Sequence, residues 1–394
     1  MFNCFNNRFI SQAKLLAPNR GIERFLRKTL DPPVLDTIGN AILVLQDIGA
    51  LSQDERLTEL GEKLGSLPVH PVTSKMLIFA ILMNCLDPAL TLACVSDCKD
   101  PFTHPTLPSA RRKADAAKAE LASLYGGHSD QLAIVAAFDC WKNAEERGQE
   151  SLFCSKYYIS RSTMSKLSCM RKQLKMELVQ NGFMPKDSST CSLNARDPGV
   201  LHAVLVAGLY PMVGRLRPPL MMGRRAVVVT RSRGKVLLHR QSLNFEPSLK
   251  LTDRHPLIVF DKITCGDRGT DIRKCTVVGP VPLLIVAKEI AVGPAKEKDN
   301  GKGGIENDHD GNDEIGVDVE NKSNQQPEEM VMSSPDNSVT VVVDGWLHFL
   351  SKALDIAQLY CLRDRLSSAI LFKVSGYRLV FLASGVASFY SCSA

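Results

Sequence analysis

From Ile22 to Leu209 the apolar positions of this chain recur with a helical period, and beyond that they fall into short β-branched runs. Residues 22–30 give a turn or two of helix, closed by Asp31-Pro32-Pro33. Leu35, Ile38, Ile42, Leu45 and Ile48 then form a three-and-four ladder that stops at Gly49, a C-terminal cap. Ala50-Leu51 and Arg56-Leu57-Thr58 flank the polar turn Ser52–Glu55, which predicts a small β-wing. Leu57, Leu60, Leu64 and Leu67 make one face of a short amphipathic helix ended by Pro68 and Pro71. Met76, Leu77, Phe79, Ala80, Leu82 and Met83 are apolar on most sides, so the next helix belongs in an interior. Asp87 and Pro88 read as the N-cap and first residue of a helix ending near Val95.

A basic helix follows over Ala110–Leu124, with Arg111, Arg112, Lys113 and Lys118 among alanines, broken by Gly126-Gly127. Asp130 is the expected cap of a helix that turns Leu132, Val135, Phe138 and Trp141 inward. Over Ser162–Asn181, Met164, Leu167, Leu174 and Leu178 form an apolar stripe, and Lys166, Arg171, Lys172 and Lys175 are assigned to the polar face. After a polar loop at 183–198 and an apolar helix at Val200–Leu209, the texture changes. Arg224–Asn244 reads as a β-hairpin with strands at 227–230 and 235–239 around Ser232-Arg233-Gly234. Leu257–Lys262, Cys275–Val278 and Leu283–Ala287 supply further predicted strands, which together fit a small OB-like barrel. Val339–Val343 is a predicted strand. An amphipathic helix from about Ser351 to Phe372 uses Leu359, Leu362, Leu366 and Ile370. The fold class is α+β multidomain: a winged helix and an α-helical bundle, then a small OB-like β-barrel with a C-terminal helix.

Charge divides the chain. The net charge is +6, but Pro294–Ser338 holds 12 acidic and 4 basic residues, leaving 44 basic against 30 acidic elsewhere. The basic body suits an anionic partner such as nucleic acid, although solubility alone also favours net charge. The acidic segment, poor in aromatics, is expected to be a disordered insertion. The 12 cysteines include no CxxC pair, and Cys85, Cys94 and Cys140 sit in apolar helical patterns, so buried thiols in a reducing compartment are expected. No secretory signal is apparent, and the apolar runs at 76–83, 281–287 and 379–390 are too short to span a membrane. An intracellular location follows, nucleus or cytoplasm, with organellar import left open.

Catalytic motifs are missing from the chain. No GxxxxGK[ST] phosphate cradle and no DEAH or DExH tetrad occurs, and neither HExxH nor GxSxG is found. The eight histidines are dispersed, and His70 and His202 read as structural. No catalytic, cofactor-binding or metal site is therefore assigned.

The wording of Leu57–Phe102 is specific: Leu57-Thr58, Leu60-Gly61, Leu67-Pro68-Val69, Pro71 and Lys75-Met76-Leu77, then Cys85-Leu86-Asp87-Pro88, Leu90-Thr91, Ala93 and Lys99-Asp100-Pro101-Phe102. It closely resembles the helicase-associated region of the DEAH-box/RNA-helicase-A-like ATP-dependent RNA helicases. Ala207–Pro211, His239–Asn244 and Pro256–Ile263 resemble the same family's C-terminal OB-like domain. The resemblance implies an irregular lead-in at 1–20, a winged helix at 21–70, a ratchet domain at 71–190, and an OB-like domain at 199–293 and 339–372. The acidic insertion at 294–338 interrupts that last domain, and an atypical tail occupies 373–394. It also implies that ATP and Mg belong to motor lobes, whose motifs this chain lacks.

Single-stranded RNA binding needs cations for phosphates and hydroxyl or amide groups for sugar and phosphate oxygens. The OB-like region offers Arg231, Arg233, Lys235, His239, Ser242, Asn244, Lys262, Arg268 and Arg273, and the ratchet offers Arg161, Thr163 and Arg171. Aromatics are scarce there, so binding is expected to be electrostatic, poorly selective and steeply salt-dependent. Two readings result. The first is an RNA-binding accessory part of such a helicase, with single-stranded or structured RNA as partner and motor domains or adaptors as neighbours. The second is a non-catalytic protein-interaction or competitor module, or a truncated gene product. In either, the acidic insertion is a candidate shield for the basic surface.

Overall fold

The computed structural model describes residues 21–30, 32–96, 98–185, 189–217, 226–245, 256–266, 269–294 and 337–374. The lead-in, most of the acidic insertion, Arg268 and nearly all of the tail lie outside the described residues. Two units are distinguished, one running to Lys288 and taking up again from Cys361, the other Glu289–Tyr360. The architecture is α+β multidomain.

The winged helix consists of α1 (Ile22–Leu26), α2 (Leu35–Asp47), a bridge between Leu51 and Leu57, and α3 (Glu59–Ser66). Its motif residues act locally. Thr58 caps α3, its hydroxyl accepting from the Gly61 N–H at 3.0 Å and donating to the Gly49 carbonyl at 2.7 Å. Residue 61 must be glycine, because a Cβ there would stand 2.1 Å from the Ala50 carbonyl oxygen. Lys75 Nζ donates to the carbonyl of Ile48 at 3.2 Å, closing the C-terminal end of α2.

The helical bundle comprises α4 (Pro71–Leu82), α5 (Leu86–Val95), α6 (Pro108–Ser123), α7 (Asp130–Glu146), α8 (Glu150–Lys156), α9 (Arg161–Gln180) and α10 (Pro198–Leu209). As its pattern requires, α4 is buried nearly all round, and α10 lies so close that a Cβ on Gly208 would meet Met76 Sδ at 2.2 Å. Two caps differ from expectation. Cys85, not Asp87, precedes α5, and Ser129, not Asp130, caps α7 by accepting from the Leu132 N–H at 2.9 Å. Both carboxylates are thereby released for partners elsewhere. Cys85 and Cys94 are buried, whereas Cys140 is only half-buried. No single helix among the described residues is long and apolar enough to cross a membrane.

Seven strands follow: β1 (Val213–Arg217), β2 (Val227–Thr230), β3 (Gly234–Leu238), β4 (Leu257–Phe260), β5 (Ile263–Gly266), β6 (Gly269–Ile272) and β7 (Cys275–Val278). Their order is β5-β6-β3-β2-β1-β4-β7, antiparallel except for β3 and β6. The chain itself shows that this sheet is curled. In a flat sheet β4 and β5 would lie five strand spacings apart, about 24 Å, yet Phe260 and Ile263 are three residues apart and span at most about 11 Å. The sheet therefore bends round a core that includes Leu216, Val228, Val236, Leu238, Ile258, Phe260 and Ile272. The strand expected at Leu283–Ala287 is instead helix α11 (Pro280–Val286), because Pro280 and Pro282 remove ladder donors and preset helical φ.

Where one OB-like domain was expected to resume at 339, the second unit forms a sheet of its own. In it β9 (Ser338–Val343) lies between β8 (Ile290–Pro294) and β10 (Leu347–Lys352), and Val339, Val341 and Val343 are buried. Helix α12 (Ala353–Val374) begins directly after β10. Its inward stripe also differs from expectation, since Leu362 is 42% exposed. Arg363 takes that helical position, and its guanidinium donates to the carbonyls of Leu284 and Ala287 at the end of α11.

The β8–β9 register ends at Pro294 opposite Val339, so the acidic insertion leaves and re-enters the sheet at one hairpin mouth. Replacing residues 295–336 by Asn-Gly would leave a four-residue loop, and loop closure then costs less. Thermal melts should show the second unit no less stable than in the parent chain; a lowered transition would show that the insertion holds the sheet.

His70 caps α4, its Nδ1 accepting from the Val72 N–H at 3.3 Å, and burial lowers its pKa from 6.5 to about 4. Between those values the unfolded chain binds a proton that the folded chain refuses. Stability should therefore be complete above pH 6.5 and fall toward pH 4, by about 3 kcal/mol. His70→Asn keeps an acceptor at the cap and should flatten this part of a urea-denaturation pH profile; an unaltered slope would rule out His70 as its source.

Candidate nucleic-acid interface

A short turn of the curled sheet carries the first group of nominated cations. Between β2 and β3, Gly234 adopts φ +62°. The Thr230 hydroxyl closes the turn, accepting from the Arg233 N–H at 3.3 Å and donating to the Gly234 carbonyl at 3.3 Å. Arg231, Arg233 and Lys235 consequently stand exposed around one turn, with Arg233 Nη1 3.6 Å from Cys265 Sγ on β5.

A second group lies at the other end of the strands. The His239 N–H donates to the Ile272 carbonyl at 2.8 Å. Ile263 pairs with Ile272, which sets Lys262 and Arg273 at neighbouring positions just beyond that ladder. Both are exposed, and His239 is half-buried with its Nδ1 accepting from the Gln241 N–H at 3.3 Å. From Lys235 to His239 is four residues of strand, about 13 Å. The nominated barrel cations thus form two groups, not one.

Ser242 and Asn244 require correction as sugar or phosphate ligands, being 6% and 1% exposed. The Ser242 hydroxyl donates to Asp130 Oδ2 at 2.6 Å, and Asn244 Nδ2 donates to the carbonyls of His128 at 3.3 Å and Cys275 at 3.4 Å. Asp130, 1% exposed, also accepts from Lys118 Nζ at 2.6 Å, the Leu243 N–H at 3.0 Å and the Cys275 N–H at 3.1 Å. Burial alone would lower the Lys118 pKa, but the Asp130 carboxylate beside it holds it above its usual value. The Cys275 thiol is pushed up to about 12 by burial and then by Asp130. Ser242, Leu243 and Asn244 therefore seal the sheet onto α7 instead of facing a ligand.

On the ratchet, Arg171 is also corrected. It is 8% exposed, donates to the Asp87 carbonyl at 2.8 Å, to Asp87 Oδ1 at 2.6 Å and to the Thr91 hydroxyl, and its guanidinium lies 4.3 Å from the Phe138 ring centre. Arg161 remains exposed at the start of α9, its Nε 2.9 Å from Glu150 Oε1. Thr163 is half-buried and its hydroxyl donates to Ser160 Oγ at 3.0 Å, so it serves the helix cap.

Two exposed-face residues escaped the sequence reading. Arg215 and Arg217 lie on β1, next to β2 in the sheet. Their signal was the period-two spacing in Val-Gly-Arg-Leu-Arg, hidden because no strand was predicted there. Among the described residues no group of three or more His, Cys, Asp or Glu side chains is arranged to hold a metal.

A winged helix, a ratchet-like bundle and a curled OB-type sheet in this order define a helicase-associated accessory region. Residues 41–69 match the family described as Helicase associated domain (HA2), winged-helix, and residues 70–134 the one described as Helicase associated domain (HA2), ratchet-like. Residues 201–290 match the Oligonucleotide/oligosaccharide-binding (OB)-fold family. The chain is 53% identical over 377 residues to DExH-box ATP-dependent RNA helicase DExH6 of Arabidopsis thaliana, covering 92% of this chain and 29% of the relative. It is 52% identical over 364 residues to DExH2 of the same plant, with 92% and 23% covered. To the mouse ATP-dependent DNA/RNA helicase DHX36 it is 36% identical over 286 residues, with 71% and 28% covered. The chain carries the winged-helix, ratchet-like and OB-fold domains that correspond to the C-terminal accessory region of DExH/DEAH-box RNA helicases, and spans less than a third of the length of these relatives.

Asp130→Ala would strand the buried Lys118 charge and remove the acceptor of four donors. Chemical denaturation should register a loss of about 3–5 kcal/mol. Lys118→Met should cost less, because the carboxylate keeps three donors; equal losses would contradict this account of the seam.

Proposed function

We propose that this chain holds single-stranded RNA for a DExH-box helicase and performs no nucleotide chemistry itself. The observation that carries the reading is the exposed group Arg231, Arg233 and Lys235 at the β2–β3 turn, on the strands that OB folds use to bind oligonucleotides. The relatives' names as RNA helicases, and in one case a DNA/RNA helicase, support it. Lys262, Arg273 and half-buried His239 extend the basic surface, and Arg161 adds a cation on the ratchet.

These groups neutralise phosphates and do not read base edges, so binding is indifferent to sequence and falls steeply with salt. In a complete enzyme, ATP and Mg belong to motor lobes, and the accessory domains pack against those lobes and keep RNA in register with them. Motor lobes and adaptor proteins are the protein partners of this reading, and an intracellular compartment is its location.

Fluorescence anisotropy with a labelled oligouridylate of about a dozen nucleotides tests the reading. Arg231→Ala, Arg233→Ala and Lys235→Ala combined should lower the slope of log affinity against log salt by about 2. Affinity should drop at least about tenfold near physiological salt. Retained affinity and slope, or RNA-stimulated ATP hydrolysis by the purified chain, would overturn it.

A further inference from the structure

The two cation groups of the sheet are about 13 Å apart, and the register shows what lies between them. Leu216 is in the core, so Arg215 and Arg217 project from the opposite, outer side of β1. Cross-strand pairing places Arg215 in one row with Val229 and Lys235, and Arg217 in the next with Val227, Leu237 and Asp271. Within each row, directly paired residues share a face.

The first row borders the hairpin turn. The second lies toward the end of the strands where His239, Lys262 and Arg273 stand. Arg215 and Arg217 are about 7 Å apart along β1. Arg217 is exposed and makes no hydrogen bond or ion pair among the described residues. Arg215 is half-buried, and burial and then the neighbouring charge of Arg217 lower its pKa. The acid of these rows, Asp271, is three strands from Arg217, about 14 Å away.

We propose that Arg215 and Arg217 bind consecutive phosphates of a single-stranded nucleic acid that crosses the outer face of β1–β3, joining the two cation groups into one track. The proposal rests on the RNA-holding reading and adds a path to it. Val227, Val229 and Leu237 give the track a half-buried apolar floor, and neither row contains an aromatic ring on which a base could stack.

The test uses the full chain in the same anisotropy assay. Arg217→Ala should lower the salt slope by about 0.7, and Arg217→Ala with Arg215→Gln by about 1.4. Arg217→Glu should weaken binding further. Melting curves of the Arg217 variants should match the parent, since that side chain is exposed. If the Arg217 variants bind like the parent while the hairpin triple variant loses affinity, the track is wrong and the RNA-holding reading stands. If neither binds differently, both fail. Polyglutamate that binds the parent more tightly than the oligonucleotide, and is lost with Arg217→Glu, would assign this face to an acidic polypeptide and overturn the proposal.

Discussion

One buried carboxylate joins the two halves of the larger unit. Asp130 sits at the first turn of α7 and gathers donors from α6, from the segment after β3 and from the start of β7. A carboxylate in an interior is costly unless charge and hydrogen bonds surround it, and here an ammonium, a hydroxyl and two backbone N–H groups do so. The arrangement is directional in a way that apolar packing is not. It fixes which end of α7 meets which edge of the curled sheet, and so fixes where the outer face of β1–β3 can point relative to the helices. The same seam explains why the polar side chains of Ser242 and Asn244 stand in a protein interior.

Arginine plays the corresponding part elsewhere in the fold. On α9 the positions 164, 167, 171, 174 and 178 follow the helical period, and Arg171 is the middle member of an otherwise apolar stripe. On α12, Arg363 stands in the stripe where a leucine was expected. Each guanidinium reaches backbone carbonyls on another helix, Arg171 in the first turn of α5 and Arg363 at the end of α11. A planar group with five donors suits this task, and its flat face packs on Phe138 while its edge is bonded.

Apolar periodicity made the winged helix, most of the bundle and the β2–β3 hairpin readable in sequence, because each buries one regular face. The LTxLG and LPVHP wording was equally readable, and its roles prove mechanical: a cap, a close approach at Gly61 and a proline-started helix. What periodicity did not reveal were the polar residues in buried positions. Arg171, Ser242 and Asn244 looked like ligands because residue type alone suggests exposure, whereas their positions in the stripe or at the seam decide burial. Short strands such as β1, β5 and β6 escaped for a related reason: four or five residues carry too little alternation to stand out, and their pairing is set by distant segments.

The surviving cations share a structural property. Arg215, Arg217 and Lys235 belong to strands whose other faces fill the core, while Arg231 and Arg233 are held by a turn closed through Thr230. Their backbone positions are therefore fixed although their side chains, the half-buried Arg215 excepted, are exposed, so little ordering of the chain itself would accompany phosphate binding. Fixed backbone positions with exposed cationic ends suit the proposed holding of a nucleic-acid strand. On the proposed reading, such a surface would meet the backbone at a repeating distance and distinguish no base, so an advance by one nucleotide would exchange one phosphate for an equivalent one at nearly constant energy. A face that read bases would hold some registers more tightly than others and would resist that movement. The scarcity of aromatic rings on these strands, which looks like a weakness for affinity, would on that reading permit it.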